Sequence, residues 1–183
     1  MKEHKLNETY VLFVHNVKDK DWSKKSYTML YEFDTIELFW KMIDLIEQYK
    51  DTLIHYLCCL MKKRDNEYIY PIWEDAKNVN GGCWSIKYSD FNILDIFIDT
   101  CINFIGNTLL KEDTDIVNGV SISPKRGFYI FKIWCNNEDL IKTIHFNDNL
   151  KLNIKLLLFR SHKENITKDK MYKKRKTYKK NKY

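Results

Sequence analysis

The sequence predicts an α+β fold, in which a single curved, mainly antiparallel β-sheet carries two or three helices on its convex face. Short segments rich in β-branched and aromatic residues recur between turn residues, which is typical of strands. Two longer segments place apolar residues at helical spacing. Strands and helices do not alternate as regular βαβ units, and this order favours the α+β class.

The first elements follow from residue pattern and capping chemistry. A predicted strand at residues 6–14 leads into a polar loop that carries Trp22. A second apolar stretch leads into a predicted helix over 35–49, with Asp34 as its expected N-cap and Glu37 reaching back to it. The apolar residues of this helix cover a wider arc than packing against one sheet face requires.

Turn residues delimit the remaining elements. Gly81-Gly82 predicts a turn, Gly106 ends a second helix, and Pro124-Lys125-Arg126-Gly127 separates two strands. The further predicted elements are strands at 53–61, 68–73, 83–88, 116–123, 128–135 and 152–159, a second helix at 90–105, and a short third helix at 137–146.

Charge is distributed unevenly along the 183 residues. The net charge is +6, but residues 163–183 contain nine Lys, one Arg and two acidic residues, so the rest of the chain is slightly negative. We therefore expect one folded domain over 1–162 and a basic, flexible tail over 163–183 that is unfolded from Lys168 onward. Such a tail attracts phosphate, or serves only as a solubilising or targeting segment.

The five cysteines are odd in number and lack C-x-x-C spacing, so neither a disulfide framework nor a zinc site is expected. The N-terminus is too charged for a signal peptide, and no apolar run approaches the roughly 20 residues of a membrane span. We expect an intracellular, cytoplasmic protein without a metal or another cofactor.

Two tryptophans in polar loops are the main candidates for ligand binding. Trp22 follows the first strand, and Trp73 is followed directly by Glu74. Two indoles can stack on a flat cationic ligand while a carboxylate accepts hydrogen bonds from its edge, and 7-methylated guanine is such a ligand. Trp84 lies within an apolar strand and is expected in the core.

These features together resemble the translation-initiation factor 4E family, the eukaryotic proteins that bind the 7-methylguanosine cap of mRNA. The resemblance extends in order from His4 to about Lys168. Its most specific pieces are F-D-T-x-E-x-F-W at 33–40, P-x-W-E-D-x-x-N at 71–78, G-G-x-W at 81–84, Ile133-Trp134 and Ser161-His162.

The resemblance implies a role for each residue of the base site. Trp22 and Trp73 would sandwich the methylated base, and Glu74 would accept hydrogen bonds from its imino and amino edge. The backbone N–H of Trp73 would donate to the base carbonyl, and Trp134 would pack near the methyl group. Discrimination against unmethylated guanine is expected to come from the positive charge of the base.

The phosphate path departs from the family pattern. Lys125 matches the family's phosphate-binding arginine, Lys168 matches a lysine on the C-terminal loop, and Arg126 can substitute from the neighbouring position. Strand alternation is expected to point Lys125 and Arg126 to opposite sides. Gly127 and Ile130 stand where the family usually has lysines, and Cys83 replaces a usual arginine. We therefore expect intact base recognition and an altered phosphate path.

The resemblance also implies a second surface, which would bind a partner helix of the form Tyr-x-x-x-x-Leu-φ. This helix would come from a 4G-like scaffold factor or a repressor, and it would lie on an apolar groove. A basic partner residue could pair with Asp99, and Lys5 stands where the family usually has proline. Burial of these side chains between the two long helices is the alternative. The matching residues are His4, Leu6, Ile36, Trp40, Ile98, Asp99 and Ile102.

Four functions follow from these observations. The first is a monomeric initiation factor that binds capped mRNA and a scaffold, without a membrane, and the second is a cap-binding repressor or competitor. A hydrolase or transferase would need a catalytic constellation, and none is visible among the scattered histidines. A methyl-lysine reader would need a compact aromatic cage instead of a flat slot. The Lys, Asn and Ile bias fits a divergent protist, parasite or large DNA virus.

Overall fold

The structure is a computed structural model that describes residues 3–89, 92–112 and 115–180. Its strands are β1 (Lys5–Asn16), β2 (Tyr27–Thr35), β3 (Tyr56–Arg64), β4 (Glu67–Tyr68), β5 (Gly82–Tyr88), β6 (Val117–Lys125), β7 (Phe128–Cys135) and β8 (Leu158–Ser161). Its helices are α1 (Ile36–Gln48), α2 (Lys50–Leu53), α3 (Ile93–Ile105) and α4 (His162–Lys180).

The strands form one curved, unclosed sheet in the order β2-β1-β3-β6-β7-β5-β8, with β4 paired to β3. All pairings among the described strands are antiparallel. This architecture confirms the predicted α+β class.

The two faces of the sheet are both apolar but are covered differently. Alternation along β1 sends Tyr10, Leu12 and Val14 to the convex face, where α1 and α3 pack, and sends Val11 and Phe13 to the other. We call the first the helix face and the second the open face. The predicted core residue Trp84 is buried on the helix face.

Helix α1 forms where it was predicted, but its expected capping is wrong. The hydroxyl of Thr35, not Asp34, accepts a hydrogen bond from the Leu38 N–H at 3.2 Å. Asp34 instead pairs with Lys5 at 2.8 Å. Glu37 accepts from the backbone N–H and ring nitrogen of His4, and these bonds lower the pKa of Glu37 to about 2. The acids therefore join the start of β1 to α1.

The β6–β7 hairpin was predicted closely, whereas the turn at Gly81-Gly82 is wrong. Gly127 has φ +80° at the tip of the hairpin, a conformation that favours glycine. Gly82 lies within β5. A side chain at Gly81 would collide with the carbonyl of Cys135, and one at Gly82 with the carbonyl of Arg160. These two glycines permit close chain approach.

Three predicted segments fold differently. The predicted strand at 68–73 is a loop from residue 69 onward. Only residues 67–68 pair with β3. Residues 137–146 form turns instead of a helix, because backbone groups near His145 bond to the segment around Lys111. The predicted strand at 152–159 is a 3₁₀ turn at Ile154–Leu156 followed by β8.

Two predicted element boundaries also differ from those in the structure. The predicted strand at 53–61 begins only at Tyr56, because Leu53 closes the short helix α2. The second helix begins at Ile93, and its predicted start at Asp90 lies outside the described residues.

The C-terminal segment is helical, which contradicts the expectation of an unfolded chain. Helix α4 begins at His162, whose N–H donates to the carbonyl of Gly81 at 2.9 Å. Its side chains from Lys170 to Arg175 are exposed. The division of the chain at residue 162 stays a prediction. Within the described ranges, no helix combines the length and apolar character needed to cross a bilayer.

Candidate functional site

A second apolar cluster forms the floor of the open face. It is built from inward side chains of the central strands together with residues of the adjoining loops, and Trp73 packs against its margin. The buried members are Val11, Phe13, Tyr27, Leu57, Cys59, Met61, Ile69, Cys83 and Trp134.

The Trp22 loop, residues 17–26, is shaped by side chains that bond to its own backbone. Asp19 accepts from the Asp21 N–H at 2.9 Å, and Asp21 accepts from the Ser23 N–H at 2.8 Å. The Trp22 ring lies 4.2 Å from that of buried His15, centroid to centroid, and Trp22 remains 47% exposed. Trp22 therefore lies outside the core, as predicted from its polar loop.

The Trp73 loop, residues 69–81, is held by two buried polar side chains. The carboxylate of Asp75 accepts from the backbone N–H groups of Tyr70 and Lys77 at 3.3 and 3.1 Å. The amide of Asn78 donates to the carbonyls of Tyr70 and Ile72 at 2.8 and 3.0 Å. Because these bonds replace strand pairing, the loop has a fixed shape that leaves Glu74 exposed.

Direct contacts join the two loops. Lys24 pairs with Asp75 at 2.9 Å, and its ammonium lies 5.1 Å from the Tyr70 ring centroid. The Tyr27 hydroxyl donates to the carbonyl of Pro71 at 3.1 Å. The loops that carry Trp22 and Trp73 therefore lie side by side on the open face, although the two residues are 51 positions apart in the chain.

Trp134 lies beneath this region and is only 3% exposed. Its ring N–H donates to the Ser121 hydroxyl at 2.9 Å, and its ring centroid is 5.2 Å from that of His162. The structure therefore makes Trp134 part of the floor, and its predicted contact with a methyl group stays a prediction.

The predicted phosphate-binding cations lie on three different elements. Lys125 ends β6 on the same face as Ser121, whereas Arg126 lies in the exposed hairpin turn. Lys168 lies on α4 and pairs with Glu164 at 3.3 Å.

Sequence reasoning missed Lys132. It lies opposite Ser121 on β7, and its ammonium is 5.5 Å from the Trp134 ring centroid. Burial and the charge of Lys132 lower the pKa of Lys125, so the two lysines lie near each other. Lys132 precedes Trp134 by two residues, and strand alternation alone could have placed both on one face.

Cys83, at the position where the resemblance implies an arginine, lies beside His162. Both are buried, with the thiol sulfur 3.7 Å from Nε2 of the imidazole. Burial, and secondarily the charge of Lys132, lower the pKa of His162 to about 4. His162 is therefore neutral at pH 7, and Lys132 supplies the positive charge in this part of the site.

The helix face carries an exposed apolar surface. Trp40 is 48% exposed, and Ile36 and Ile102 are also exposed, so burial between two helices is wrong for these three. Ile98 and Asp99 are half-buried on α3, and Leu6 packs on the helix-face core. One oxygen of Asp99 accepts from the Lys151 N–H at 3.2 Å. Leu45, on α1, and Tyr49, just after it, are also exposed, but they lie about half a turn around the helix from Ile36 and Trp40.

The chain belongs to the eukaryotic initiation factor 4E family, whose family model matches residues 5–177. It is 28% identical over 155 residues to eukaryotic translation initiation factor 4E-2 of Schizosaccharomyces pombe, an alignment that covers 79% of this chain and 60% of that relative. It is 29% identical over 177 residues to eukaryotic translation initiation factor 4E of Xenopus laevis, covering 91% of this chain and 80% of that relative.

Solved structures share the fold. The Caenorhabditis elegans eIF4E-3 chain in a complex with the 4E-binding protein Mextli and a cap analog aligns with a TM-score of 0.73 and 18% identity, covering 91% of this chain and 96% of that one. Ascaris suum eIF4E-3 in complex with an m7G cap aligns with a TM-score of 0.65 and 17% identity, covering 86% of this chain and 98% of that one.

Proposed function

We propose that this chain is a translation initiation factor that binds the 7-methylguanosine cap of mRNA and recruits the capped mRNA through a scaffold protein. The contact between the Trp22 and Trp73 loops is the observation that carries this proposal. Related chains have been solved with a cap analog and with an m7G cap, which supports the same ligand here. Like its family, the chain is a binding factor and not an enzyme.

The base site works through charge and shape together. Methylation at N7 gives the purine ring a formal positive charge, which strengthens stacking on the electron-rich faces of Trp22 and Trp73. Glu74, exposed beside Trp73, accepts from the imino and amino groups of that charged ring. Each stacking contact contributes about 1 to 3 kcal/mol. Unmethylated guanine loses the charge-dependent part of this energy.

The phosphates of the cap leave the base site along β6 and β7. Lys125 and Lys132 are the two lysines that these strands place together on the open face. Lys132 compensates for the absence of the lysines that the family has at the positions of Gly127 and Ile130. Arg126, in the hairpin turn next to Lys125, and Lys168, on α4, act on more distant phosphates.

The helix face binds the partner. A helix with the pattern Tyr-x-x-x-x-Leu-φ would bury the exposed ring of Trp40 together with Ile36 and Ile102. The eIF4E-3 complexes with Mextli support a 4E-binding protein as the kind of partner. Such a partner is a scaffold in an initiation factor and a repressor in the alternative function, and the cytoplasm is where either role is carried out.

Titration of intrinsic tryptophan fluorescence tests the base site. We expect 7-methyl-GTP to bind more tightly than GTP and to quench fluorescence, and 7-methyl-GMP to bind less tightly than 7-methyl-GTP. Replacing Glu74 by Gln should remove most of the preference for the methylated base, because an amide presents a donor to the base edge. Glu67→Gln, at another exposed carboxylate, is the control and should bind like the wild type. Equal affinity for 7-methyl-GTP and GTP in the wild type would refute the proposal.

A pull-down experiment separates the two partner roles. An initiation factor should retain a scaffold protein that carries the Tyr-x-x-x-x-Leu-φ helix and bring capped mRNA with it. Retention of cap without any scaffold segment would favour the repressor or competitor.

A further inference from the structure

Helix α4 carries a concentration of positive charge, of which the proposed cap site uses only Lys168. Its sequence contains eight Lys and one Arg against two acids, whereas the chain before residue 163 is slightly negative. We propose that α4 binds the phosphate backbone of the RNA that follows the cap. This inference rests on the proposed function of the open face, since it assigns to α4 the continuation of the same ligand.

The position of α4 connects it to the base site. It starts at His162, which packs against Trp134 and donates its N–H to the end of the Trp73 loop at Gly81. Lys163 then pairs with Glu138 at 3.2 Å. Lys173 follows His162 by eleven residues. Asp169 makes the largest contribution to the raised pKa of Lys173, and Glu74 makes a smaller one, so Lys173 lies near Glu74. The helix therefore passes from the floor of the site to its acidic edge.

One side of α4 forms a continuous basic stripe. Residues three, four or seven positions apart share a helix face, which places Lys163, Lys170 and Lys174 in one line with Thr167 between them. At 1.5 Å per residue the stripe is about 17 Å long. An extended phosphate backbone can follow such a line.

Lys163 pairs with Glu138, but the other two lysines of this stripe are available to a ligand. Lys170 and Lys174 are exposed, and among the side chains that the structure describes neither forms an ion pair. By contrast, Lys168 and Lys173 pair within the helix with Glu164 and Asp169. The half-buried side of the helix carries Asn165, Ile166 and Asp169.

The apolar residues of α4 argue against a membrane as the ligand. Between residues 163 and 175 they are Ile166, Met171 and Tyr172, and at 100° per residue these point in three different directions. A helix that lies on a membrane needs an apolar face opposite its basic one. RNA requires only the cations and continuity with the cap, and α4 provides both.

The experiment compares a double variant, Lys170→Gln with Lys174→Gln, with a control that also removes two exposed lysines. The control is Lys41→Gln with Lys50→Gln, on the helix face. For each protein the dissociation constants of 7-methyl-GTP, a capped 12-nucleotide RNA and the same RNA without a cap are measured between 50 and 300 mM KCl.

We expect wild type and control to bind capped RNA more tightly than 7-methyl-GTP, with a steeper salt dependence. The double variant should bind capped RNA about 5-fold or more weakly, and its slope of log affinity against log salt should be smaller by about 1.4, or 0.7 for each lost phosphate contact. Its affinity for 7-methyl-GTP should stay within about twofold of wild type, because the stripe lies outside the base site.

Capped-RNA affinity and salt slope equal to those of wild type would overturn the inference. So would binding to phosphatidylserine vesicles that the double variant loses while its RNA binding is unchanged. The uncapped RNA distinguishes failure of the α4 inference from failure of the cap proposal. If the wild type does not prefer 7-methyl-GTP over GTP but its binding of uncapped RNA still depends on Lys170 and Lys174, the cap proposal fails and the role of α4 stands.

Discussion

The open face and the helix face each expose about half of one tryptophan, but they support it in different ways. Trp22 is 47% exposed and belongs to a loop that is shaped by polar side chains and joined to a second loop. Trp40 is 48% exposed and belongs to α1, which is held by its Thr35 N-cap and by apolar packing. The two candidate binding surfaces therefore depend on separate sets of interactions.

This difference indicates how each surface can be damaged. The open-face site requires that two loops keep their relative position, so loss of a buried carboxylate or amide would disturb it. The helix-face surface requires only that α1 and α3 remain packed on the sheet. Substitutions on one face should therefore leave binding on the other intact.

The largest expected effect is a double dissociation between the two matched tryptophans. Trp22→Ala should weaken binding of 7-methyl-GTP by about 5- to 150-fold, corresponding to loss of one stacking contact of 1 to 3 kcal/mol. Trp40→Ala should weaken binding of a Tyr-x-x-x-x-Leu-φ peptide by a factor of about 30 or more, as expected for a central aromatic residue of an interface. Both are measured by calorimetric titration, and loss of both ligands in either variant would contradict the separation of the two faces.

A smaller effect is expected from the polar framework of the open face. Asp75→Ala leaves two backbone N–H groups and Lys24 without their acceptor, so it should lower the free energy of unfolding by about 2 kcal/mol and weaken cap binding. Asp148→Ala is the control: Asp148 also pairs with a lysine, Lys111, but its side chain is 72% exposed, so the change in the free energy of unfolding should be within about 0.5 kcal/mol. Equal destabilisation by the two variants in urea unfolding would remove Asp75 from the framework.

His162 should make the stability of the open face sensitive to acid. Its pKa is about 4 in the folded protein and 6.5 as the ordinary value, so the unfolded chain binds the proton more readily between these limits. Stability should be fully present above pH 6.5 and fall by about 3 kcal/mol as pH drops towards 4. In urea unfolding, the free energy of unfolding of His162→Gln should vary less with pH between 4 and 6.5 than that of the wild type. The same pH dependence in both proteins would contradict a lowered pKa for His162.

The smallest expected effect concerns the phosphate path. Lys132→Gln should weaken binding of 7-methyl-GTP by about 3-fold and that of 7-methyl-GMP by less, because a partly exposed cation contributes up to about 1 kcal/mol to a phosphate contact. Lys155→Gln is an exposed control and should leave both affinities unchanged. Equal loss for the two nucleotides would mean that Lys132 acts through the base site instead.

The parts of the fold that were predictable from sequence have strong local signals. The β6–β7 hairpin combines strand alternation with Pro124 and Gly127, and its predicted boundaries differ from those in the structure by no more than two residues. Helix α1 was predicted within one residue at either end, yet its N-cap was wrong because Lys5, distant in sequence, pairs with Asp34. The choice of cap was decided by tertiary contact.

The remaining differences arise where non-local bonds override local preference. The apolar run at 68–73 has the composition of a strand, but backbone groups of Tyr70 and Ile72 bond to the side chains of Asp75 and Asn78. Residues around His145 bond to the chain near Lys111 instead of forming a helix. In the candidate site the loops that carry Trp22 and Trp73 were predictable from their polar residues, whereas Lys132 was missed because the family pattern has its lysine at position 130.

A structure of the chain bound to 7-methyl-GTP tests the central proposal most directly. We predict that the purine plane lies parallel to both Trp22 and Trp73, at about 3.5 Å from each ring, with the Glu74 carboxylate about 2.8 Å from the imino and amino nitrogens of the base. A base that stacks on only one indole, or a Glu74 that remains turned away from the base, would contradict it.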